Sequence, residues 1–544
     1  MKDKTTTIYK NAILNKATDV LQIFIKYIIV IISMLFLGFI FLQSFFGSTF
    51  LDFCESSFFI EKPFWSTVLI VLIPILIAII VKIILQKYSI SIVTPNYIFL
   101  GIVTVVYTIL MIMFVYKTGI PAMDDQELIL NAANDLLNNV PDMWDKGAYC
   151  YRFPNQNGFV LFVALGLKMF GADNQMVFQY LNIPMLILSS FFLSKTIYLL
   201  FNDKKLARYS YILLLGFFQL NCYVTFVYGT LYGLAASVAG IFLLIKYFKK
   251  RNIVNGLVGI SLLSIGYGFK SNYLIMIVAA CLLLLFDAIV KKSLKSVISL
   301  VWGIVFYVVV VTSISSTIYH LTGKKVDEGT PNTAWVAMGL QESYKAPGWW
   351  NGYNAKVFAD NEYDIPKTKE AISQNISERV GELKKDKEYT LSFFSKKTAS
   401  QWSEGTFECF YITNLDRGRL SNPTWTDSVK NLMVDGHSAN RAVTTICNYF
   451  IVFLWLGIIL FLIFDFRKLD AYKLIFAITF IGGFLFHLVW EAKGQYTIIY
   501  AYLMIPYMLR GYQLLLRRVC NISLGEKEAK EKRGTIIPVV VIAL

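Results

Sequence analysis

Two adjacent acidic residues, Asp124 and Asp125, stand directly behind an apolar run of the sequence. That run, residues 97–115, is long enough to cross a bilayer. Behind the pair, apolar residues recur at helical spacing as far as Val140, which predicts an amphipathic helix along the membrane interface. A carboxylate at such a surface can act as a general base on an acceptor hydroxyl. The alternative interpretation is that the pair only caps the helix, because Asp is favoured at N-caps.

Other polar and charged residues interrupt apolar sequence at the ends of later predicted spans. Ionisable residues in such places are costly unless they have a partner or a function. Cations would hold a phosphate and stabilise charge on a leaving group, so the set suits transfer from a phosphorylated lipid. The predicted site consists of Asp124 and Asp125 as candidate bases and of Arg152, Gln156, Lys270, Asn272, Glu491, Lys493 and Tyr496 as substrate-binding residues, with Glu127, Asn155 and Gln495 beside them.

Each of these residues also has a purely structural interpretation. Long basic side chains extend to lipid headgroups, buried charges pair with one another, and tryptophans pack more often than they bind sugars. The structural alternatives are headgroup contacts for Lys270 and Lys493, an ion pair of Arg152 with Asp142 or Asp145, an ion pair of Glu491 with Lys493, and plain packing rather than sugar stacking for Trp349 and Trp350.

The composition of the chain is that of a membrane protein. Of 544 residues, 56% are hydrophobic and 16% are charged, and the mean hydropathy is +0.56. Soluble domains are less apolar and carry about 25% charged residues. The net charge of +15 comes from basic clusters that flank apolar runs, which indicates cytoplasmic loops rather than a nucleic-acid-binding surface. Seven scattered cysteines without a CxxC pair and three histidines predict no metal site.

Apolar runs and basic clusters together predict about twelve transmembrane helices with both termini in the cytoplasm. The acid pair then faces the outside, and no cleavable signal peptide is expected. A shorter apolar run, residues 158–170, is expected to lie at the interface. The predicted spans are residues 20–46, 65–85, 97–115, 176–200, 211–220, 224–245, 253–268, 273–290, 297–318, 446–464, 472–490 and 497–514.

The predicted organisation has six parts. The chain divides into an N-terminal cytoplasmic tail with the first three spans (1–116), an outer loop with interfacial helices and the acid pair (117–175), a central bundle (176–318), a small polar extracytoplasmic segment (319–441), the last spans (442–518) and a cytoplasmic tail (519–544). An apolar stub at 536–544 is too short to span. The fold class is an all-α polytopic membrane protein.

Several short motifs resemble those of one family. The first outer loop of GT-C membrane glycosyltransferases, which include protein O-mannosyltransferases and the lipid A aminoarabinose transferase, is similar to Asp124-Asp125 and the following Arg152-Phe153-Pro154-Asn155-Gln156. Later outer turns of bacterial relatives resemble Phe269-Lys270-Ser271-Asn272-Tyr273 and Trp490-Glu491-Ala492-Lys493-Gly494-Gln495-Tyr496. The resemblance covers roughly residues 121–514. It implies a GT-C-like helical bundle, a polyprenyl-phosphate sugar donor, and Asp124 or Asp125 as the base.

Three features of the chain depart from that family. Many relatives have Asp-Glu in place of the acid pair, and often Arg-Tyr near the position of Tyr496. Two spans precede the usual first span, and the polar segment 319–441 is inserted before the last three. The resemblance leaves open which aspartate is the base, which sugar is carried and whether a divalent cation takes part; it names no cofactor.

The predicted function is transfer of a sugar from a polyprenyl-phosphate donor to an extracytoplasmic acceptor at the plasma membrane. The expected acceptor is a cell-wall or surface glycopolymer or a lipid-linked molecule, with membrane lipid as a further partner and no nucleic acid. One alternative is a flippase or transporter of lipid-linked oligosaccharides, which would place charges near the bilayer midplane in two related halves. The other is an enzyme like the O-antigen ligases or polymerases, which would rely on Arg and His.

Overall fold

The computed structural model describes residues 2–52, 55–88, 94–171, 174–413 and 425–528. Within those ranges, nine helices are long and apolar enough to cross a membrane, and the shorter apolar helix Ile253–Phe269 joins them. The chain is therefore an all-α polytopic membrane protein, apart from one small β-hairpin. Most of the predicted C-terminal tail, including the stub at 536–544, lies outside the described residues.

The N-terminal part contains the hairpin, where the sequence predicts only a short loop. Its elements are α1 (Lys2–Phe46), β1 (Gly47–Leu51), β2 (Ser57–Glu61), α2 (Phe64–Lys87) and α3 (Tyr97–Thr118). The two strands pair antiparallel, with Gly47 opposite Glu61. Lys62 fixes the hairpin to the bundle, because its ammonium group donates to the carbonyl oxygens of Ser44 at 2.7 Å and Asn448 at 3.0 Å.

The predicted amphipathic helix is present directly behind the acid pair. This region contains α4 (Asp125–Asn138), α5 (Tyr149–Arg152) and α6 (Asn157–Phe170), with 3-10 turns at Asp142–Trp144 and Pro154–Gln156. One face of α4, with Ile129, Ala132 and Ala133, is fully buried in a core shared with α6. With 14 residues, α6 extends only about 21 Å, less than the thickness of a bilayer core.

The central bundle differs from the prediction between residues 211 and 229. Its helices are α7 (Met176–Phe201), α8 (Lys204–Leu215), α9 (Phe218–Cys222), α10 (Thr230–Lys250), α11 (Ile253–Phe269), α12 (Leu274–Lys291) and α13 (Leu294–Thr322), with 3-10 turns at Tyr223–Thr225 and Ser271–Tyr273. The prediction of continuous helices at 211–220 and 224–245 is wrong. The Asn182 side chain donates to the carbonyl oxygens of Val224 and Phe226, both at 3.0 Å, and these tertiary bonds replace helical ones.

The C-terminal part contains the remaining helices. They are α14 (Thr333–Gly339), α15 (Tyr353–Asp360), α16 (Ile365–Lys385), α17 (Lys387–Trp402), α18 (Cys409–Thr413), α19 (Asp427–Met433), α20 (Ser438–Phe464), α21 (Ile475–Val489) and α22 (Gly494–Glu528), with 3-10 turns at Phe466–Lys468 and Tyr472–Leu474. The polar segment 319–441 contributes side chains to several hydrophobic cores. Ala334, Val357 and Ile372 share a small one, whereas Trp402 and Phe407 are buried in the main core of the bundle.

Candidate functional site

The loops that follow α1, α3, α9, α11 and α21 meet around one cavity of about 1280 Å³. This volume exceeds that of most small-ligand sites and is sufficient for a sugar and a phosphate group together. All nine predicted site residues line it, and so do Asn155 and Gln495: Asp124, Asp125, Arg152, Gln156, Lys270, Asn272, Glu491, Lys493 and Tyr496. Glu127 is not among its lining residues. The structure therefore brings together side chains that are far apart in the sequence.

Asp124 and Asp125 lie at the start of α4, which a hydrogen bond of the following residue fixes in place. Asp124 occupies the N-cap position with φ 54°, but its side chain makes no capping hydrogen bond, in contrast to the capping interpretation. The next residue, Gln126, accepts a hydrogen bond from the backbone N–H of Val227 at 2.7 Å. Because Gln126 is buried, this bond fixes the helix start against the turn before α10.

The Asp125 side chain is exposed to the cavity and surrounded by the cavity walls. Burial raises its pKa; the positive charge of Lys493 opposes this shift, and the neighbouring Asp124 carboxylate adds to it. Tyr149 lies beside it, and Lys270 contributes a second positive charge. A carboxylate with a raised pKa is a stronger base than an ordinary aspartate, which is a property that general-base catalysis requires.

Lys270 is held in a tight turn between α11 and α12. The carbonyl oxygens of that turn approach two glycines so closely that a Cβ on Gly158 would lie 2.0 Å from the oxygen of Gly268, and one on Gly229 would lie 1.9 Å from that of Phe269. The Lys270 ammonium donates to the Thr230 hydroxyl at 2.9 Å. The fixed turn therefore directs this cation into the cavity wall.

The side chain of Lys270 is buried rather than extended to headgroups. Its ammonium lies 4.7 Å from the centre of the Tyr228 ring. Burial lowers the pKa of Lys270 to about 7, and the charge of Lys493 acts in the same direction, whereas Asp125 opposes it. Lys270 therefore changes its charge near neutral pH.

Lys493 has a different environment, formed by three carboxylates. Its ammonium lies 3.0 Å from Glu55 of the hairpin, and Lys345 pairs with the other oxygen of Glu55. Burial lowers the pKa of Lys493, but the carboxylates of Glu408 and Glu491 outweigh this and keep it above its usual value. Lys493 is therefore a permanent cation.

The structural alternative pairs Glu491 with Lys493, but each of the two has another partner in the structure. Lys493 pairs with Glu55, a residue that the sequence analysis did not select. Glu491 is buried and accepts a hydrogen bond from the Tyr496 hydroxyl at 3.2 Å. Both Glu491 and Tyr496 also face the cavity.

Arg152 pairs with neither of the aspartates that the structural alternative assigns to it. Asp145 forms an ion pair with Lys324 at 2.6 Å instead. Within the described ranges, no carboxylate lies within 4 Å of Arg152. Its guanidinium lies over the Phe153 ring, 5.2 Å from the ring centre, and its buried Nε has no described hydrogen-bond partner. Next to it, Gln156 donates to the Tyr228 hydroxyl. Arg152 is therefore a cation of the cavity wall, and the N–H donors of its guanidinium include one that no described hydrogen bond uses.

Aromatic rings form one wall of the cavity. Trp335 and Trp490 stack with parallel planes, 2° apart, at a centroid distance of 5.8 Å. Phe486 extends the stack at 4.7 Å from Trp490, and Phe153 meets Trp335 edge-on, 6.0 Å away and inclined by 65°. We call these four rings the aromatic wall. Trp and Phe rings in this arrangement offer an apolar face that suits a sugar ring.

Two other tryptophans, Trp349 and Trp350, are candidates for a sugar platform in the sequence, where packing is the favoured interpretation. Trp349 is fully buried and donates to the Ser400 hydroxyl at 2.8 Å, so its packing interpretation is correct. Trp350 lines the cavity but lies 5.3 Å from the Lys345 ammonium. Trp335 carried no local signal, because a single Trp in a helical segment resembles any packing residue.

Three buried charged residues of the cavity, Glu55, Lys345 and Glu408, were not predicted from the sequence. Glu408 accepts a hydrogen bond from the backbone N–H of Gly494 at 2.7 Å, and burial raises its pKa. Glu55 and Lys345 join it at the same wall. Their only signal in the sequence is a charge within a loop, which does not distinguish them from solvated residues. Within the described ranges, no group of three or more metal-ligating side chains could hold a metal ion.

The helices and their composition define the class of this protein as a multi-pass integral membrane protein. Residues 24–516 match the family model described as "conserved hypothetical integral membrane protein", and the chain belongs to that family. Comparison with curated proteins and with solved structures yields no match.

Proposed function

We propose that the protein is a GT-C-like membrane glycosyltransferase that moves a sugar from a polyprenyl-phosphate donor to an acceptor hydroxyl. The observation that carries this proposal is that one cavity is lined by a carboxylate, Asp125, together with the cations Lys270, Lys493 and Arg152. Glycosyl transfer from a phosphate needs a base at the acceptor hydroxyl and positive charge at the leaving phosphate. The aromatic wall supports a sugar as the group transferred or accepted.

The transfer involves one bond formed and one bond broken. Asp125 takes the proton of the acceptor hydroxyl while that oxygen bonds to the anomeric carbon of the donor sugar. The bond between the anomeric carbon and the phosphate oxygen breaks, and the lipid phosphate leaves with the electron pair. Lys493 and Arg152, with Lys270 in its charged form, stabilise the phosphate. Asp124 is the alternative base, since it lines the same cavity.

An apolar extension of the cavity suits the lipid chain of the donor. Its lining residues come from α1, α12 and α21, and they are Ile28, Ile32, Ile275, Leu282, Ile478 and Leu485. Lipid-facing apolar grooves accept isoprenoid or acyl chains, since each buried methylene adds to binding. The polar end of the cavity would then receive the phosphate and sugar.

Further parts of the proposal concern topology and location. The bundle would have about twelve transmembrane helices in the plasma membrane, with α22 and the pair α8–α9 completing the set. Basic clusters would place both termini in the cytoplasm and the cavity outside. The acceptor would be a cell-wall or surface glycopolymer, or a lipid-linked precursor of one. A transporter or flippase is less well supported, because these charges gather at one end of the bundle.

The direct test uses purified protein and a radiolabelled polyprenyl-phosphate sugar. The purified protein should transfer label from this donor to the surface-polysaccharide fraction isolated from a deletion strain. Structural analysis of that polysaccharide should show a missing sugar, and the wild-type gene should restore it. If the protein moves the intact donor across a vesicle membrane and the sugar–phosphate bond is not cleaved, the function is that of a flippase. A deletion strain whose polysaccharides and lipid-linked sugars are unchanged would refute the proposal.

The pH dependence of kcat/KM is expected to be bell-shaped. On the acid side activity falls as Asp125 becomes protonated, at a pH above the ordinary aspartate pKa because its pKa is raised. On the alkaline side activity falls as pH rises through about 7, because Lys270 loses its charge there. Lys270→Arg should remove the alkaline limb. Lys62→Arg is the control, because Lys62 has a pKa of about 8 but lies outside the cavity lining; loss of the limb in this control would contradict the assignment.

Trp335→Ala is expected to weaken acceptor binding. Loss of one ring of the aromatic wall should raise the acceptor KM about three- to tenfold, with kcat nearly unchanged. Steady-state kinetics at saturating donor measure both constants. Trp65→Ala is the matched control, because Trp65 is 74% exposed on α2 and lies outside the cavity lining. An unchanged acceptor KM in Trp335→Ala would remove the aromatic wall from acceptor recognition.

A further inference from the structure

A second cavity lies at the other end of the bundle. It has a volume of about 910 Å³ and lies where α7 ends, whereas α7 begins near the acid pair. A helix of 26 residues is about 39 Å long, so the two cavities are separated by the thickness of the bundle. The charged side chains of its lining are Lys204, Lys205, Arg208, Arg510, Arg517 and the single carboxylate Asp203.

The one carboxylate of this basic cleft is already occupied. Asp203 accepts hydrogen bonds from the backbone N–H of Leu206 at 3.0 Å and from the Gln513 side chain at 2.9 Å. Arg517 and Arg510 lie 3.5 Å and 3.8 Å from the same oxygen. Asp203 thus ties the start of α8 to α22, but it cannot neutralise all the cations around it.

Some of the cations have other partners, and the rest are in excess. Arg510 pairs with Asp465 at 2.9 Å, which balances its charge. Arg208 donates to the carbonyl oxygen of Pro95 at 2.6 Å, a neutral partner. Lys204 and Lys205 are exposed, and within the described ranges neither lies within 4 Å of a carboxylate. The cleft therefore has a net positive charge that an anion would neutralise.

The position of the cleft relative to the spans indicates the type of anion. It lies where α3 begins at Tyr97 and α7 ends at Phe201, at the depth of lipid headgroups for two candidate spans. Arg208 stacks over Tyr97, 4.5 Å from the ring centre, which joins the cation to the first turn of α3. The apolar side chains of α3 are largely exposed, including Ile98 at 74%. A ligand with a phosphate and apolar chains contacts both surfaces.

We propose that this cleft binds the phosphate of an anionic phospholipid, whose acyl chains lie along α3 and α7. Two elements would provide the cations that face the phosphate: the first turns of α8 with Lys204, Lys205 and Arg208, and the C-terminal half of α22 with Arg517. Each basic side chain near a membrane surface adds to the attraction for an anionic lipid. The same phosphate chemistry exists in free inorganic phosphate, but that ion has no chains to contact α3. The bound lipid would connect α3 to α8 and α22. This site is independent of the proposed glycosyl transfer.

The test compares lipids and variants on the full-length protein in nanodiscs. Native mass spectrometry and thermal unfolding are measured with phosphatidylglycerol, with phosphatidylcholine and with phosphatidylcholine plus millimolar inorganic phosphate. Wild-type protein is expected to retain phosphatidylglycerol and to unfold at a higher temperature with it than under the other two conditions. The double variant K204Q/K205Q is expected to bind phosphatidylglycerol about 30-fold more weakly.

A matched double variant controls for net charge. K249Q/K250Q removes the same charge from two exposed lysines at the end of α10, which lie outside the cleft lining. It should retain wild-type affinity for phosphatidylglycerol. Equal losses in both double variants would overturn the site, as would equal retention of the two phospholipids by wild-type protein. Stabilisation by inorganic phosphate alone would replace the lipid by a free anion.

Discussion

Asp125→Asn is expected to lower kcat for sugar transfer by about 10²- to 10⁴-fold, the range that general-base catalysis contributes. Asparagine keeps the shape of the side chain but cannot take a proton from the acceptor hydroxyl. The variant should remain in the membrane with a normal unfolding temperature, since Asp125 opens onto the cavity rather than anchoring a core. Single-turnover measurements with preformed enzyme–donor complex separate this loss from donor binding.

Two further variants complete that experiment. Glu127→Gln is the matched control, because Glu127 is an exposed acid in the same helical turn that lies outside the cavity lining. Its kcat should be unchanged. Asp124→Asn distinguishes the two candidate bases. If Asp124→Asn alone abolishes transfer and Asp125→Asn does not, the base is Asp124; full activity in both variants would refute a base in this pair.

Lys493→Met is expected to abolish detectable transfer and to destabilise the protein by about 3 kcal/mol or more, the cost of leaving a buried ion unpaired. The loss of stability follows because Lys493 is the main positive neighbour of Glu408, which is only 1% exposed, whereas Glu55 keeps its ion pair with Lys345. The loss of transfer follows from its role as the permanent cation for the phosphate. A single substitution therefore changes two properties at once.

The double variant Glu408→Gln/Lys493→Met separates those two properties. Lys493 is the main positive neighbour of the buried Glu408, so a neutral Gln should restore most of the lost unfolding temperature, while transfer and donor affinity remain lost. Glu61→Gln/Lys493→Met is the control, because Glu61 is an exposed acid of the hairpin that lies outside the cavity lining; it should not restore stability. Restored transfer in Glu408→Gln/Lys493→Met would show that Lys493 acts only as a structural partner.

Charge and hydropathy along the sequence predicted most of the fold. Span positions depend on the local length of an apolar run, and that length is visible without any tertiary contact. The helix behind Asp125 was predicted for the same reason, because its apolar face repeats at helical spacing. The exception at 211–229 arises from Asn182, whose side chain satisfies backbone carbonyls of a distant segment.

The sequence by itself determined which polar residues are out of place beside apolar runs, and it therefore selected Asp125, Lys270 and Lys493. Their anomaly is local: an ionisable group next to a span is costly wherever the rest of the chain lies. Only the tertiary structure decided how these groups interact. Glu55 became the partner of Lys493 because a hairpin from the N-terminal part packs beside a turn from the C-terminal part. Burial, which lowers the pKa of Lys270 and raises that of Asp125, likewise depends on elements that no local pattern relates.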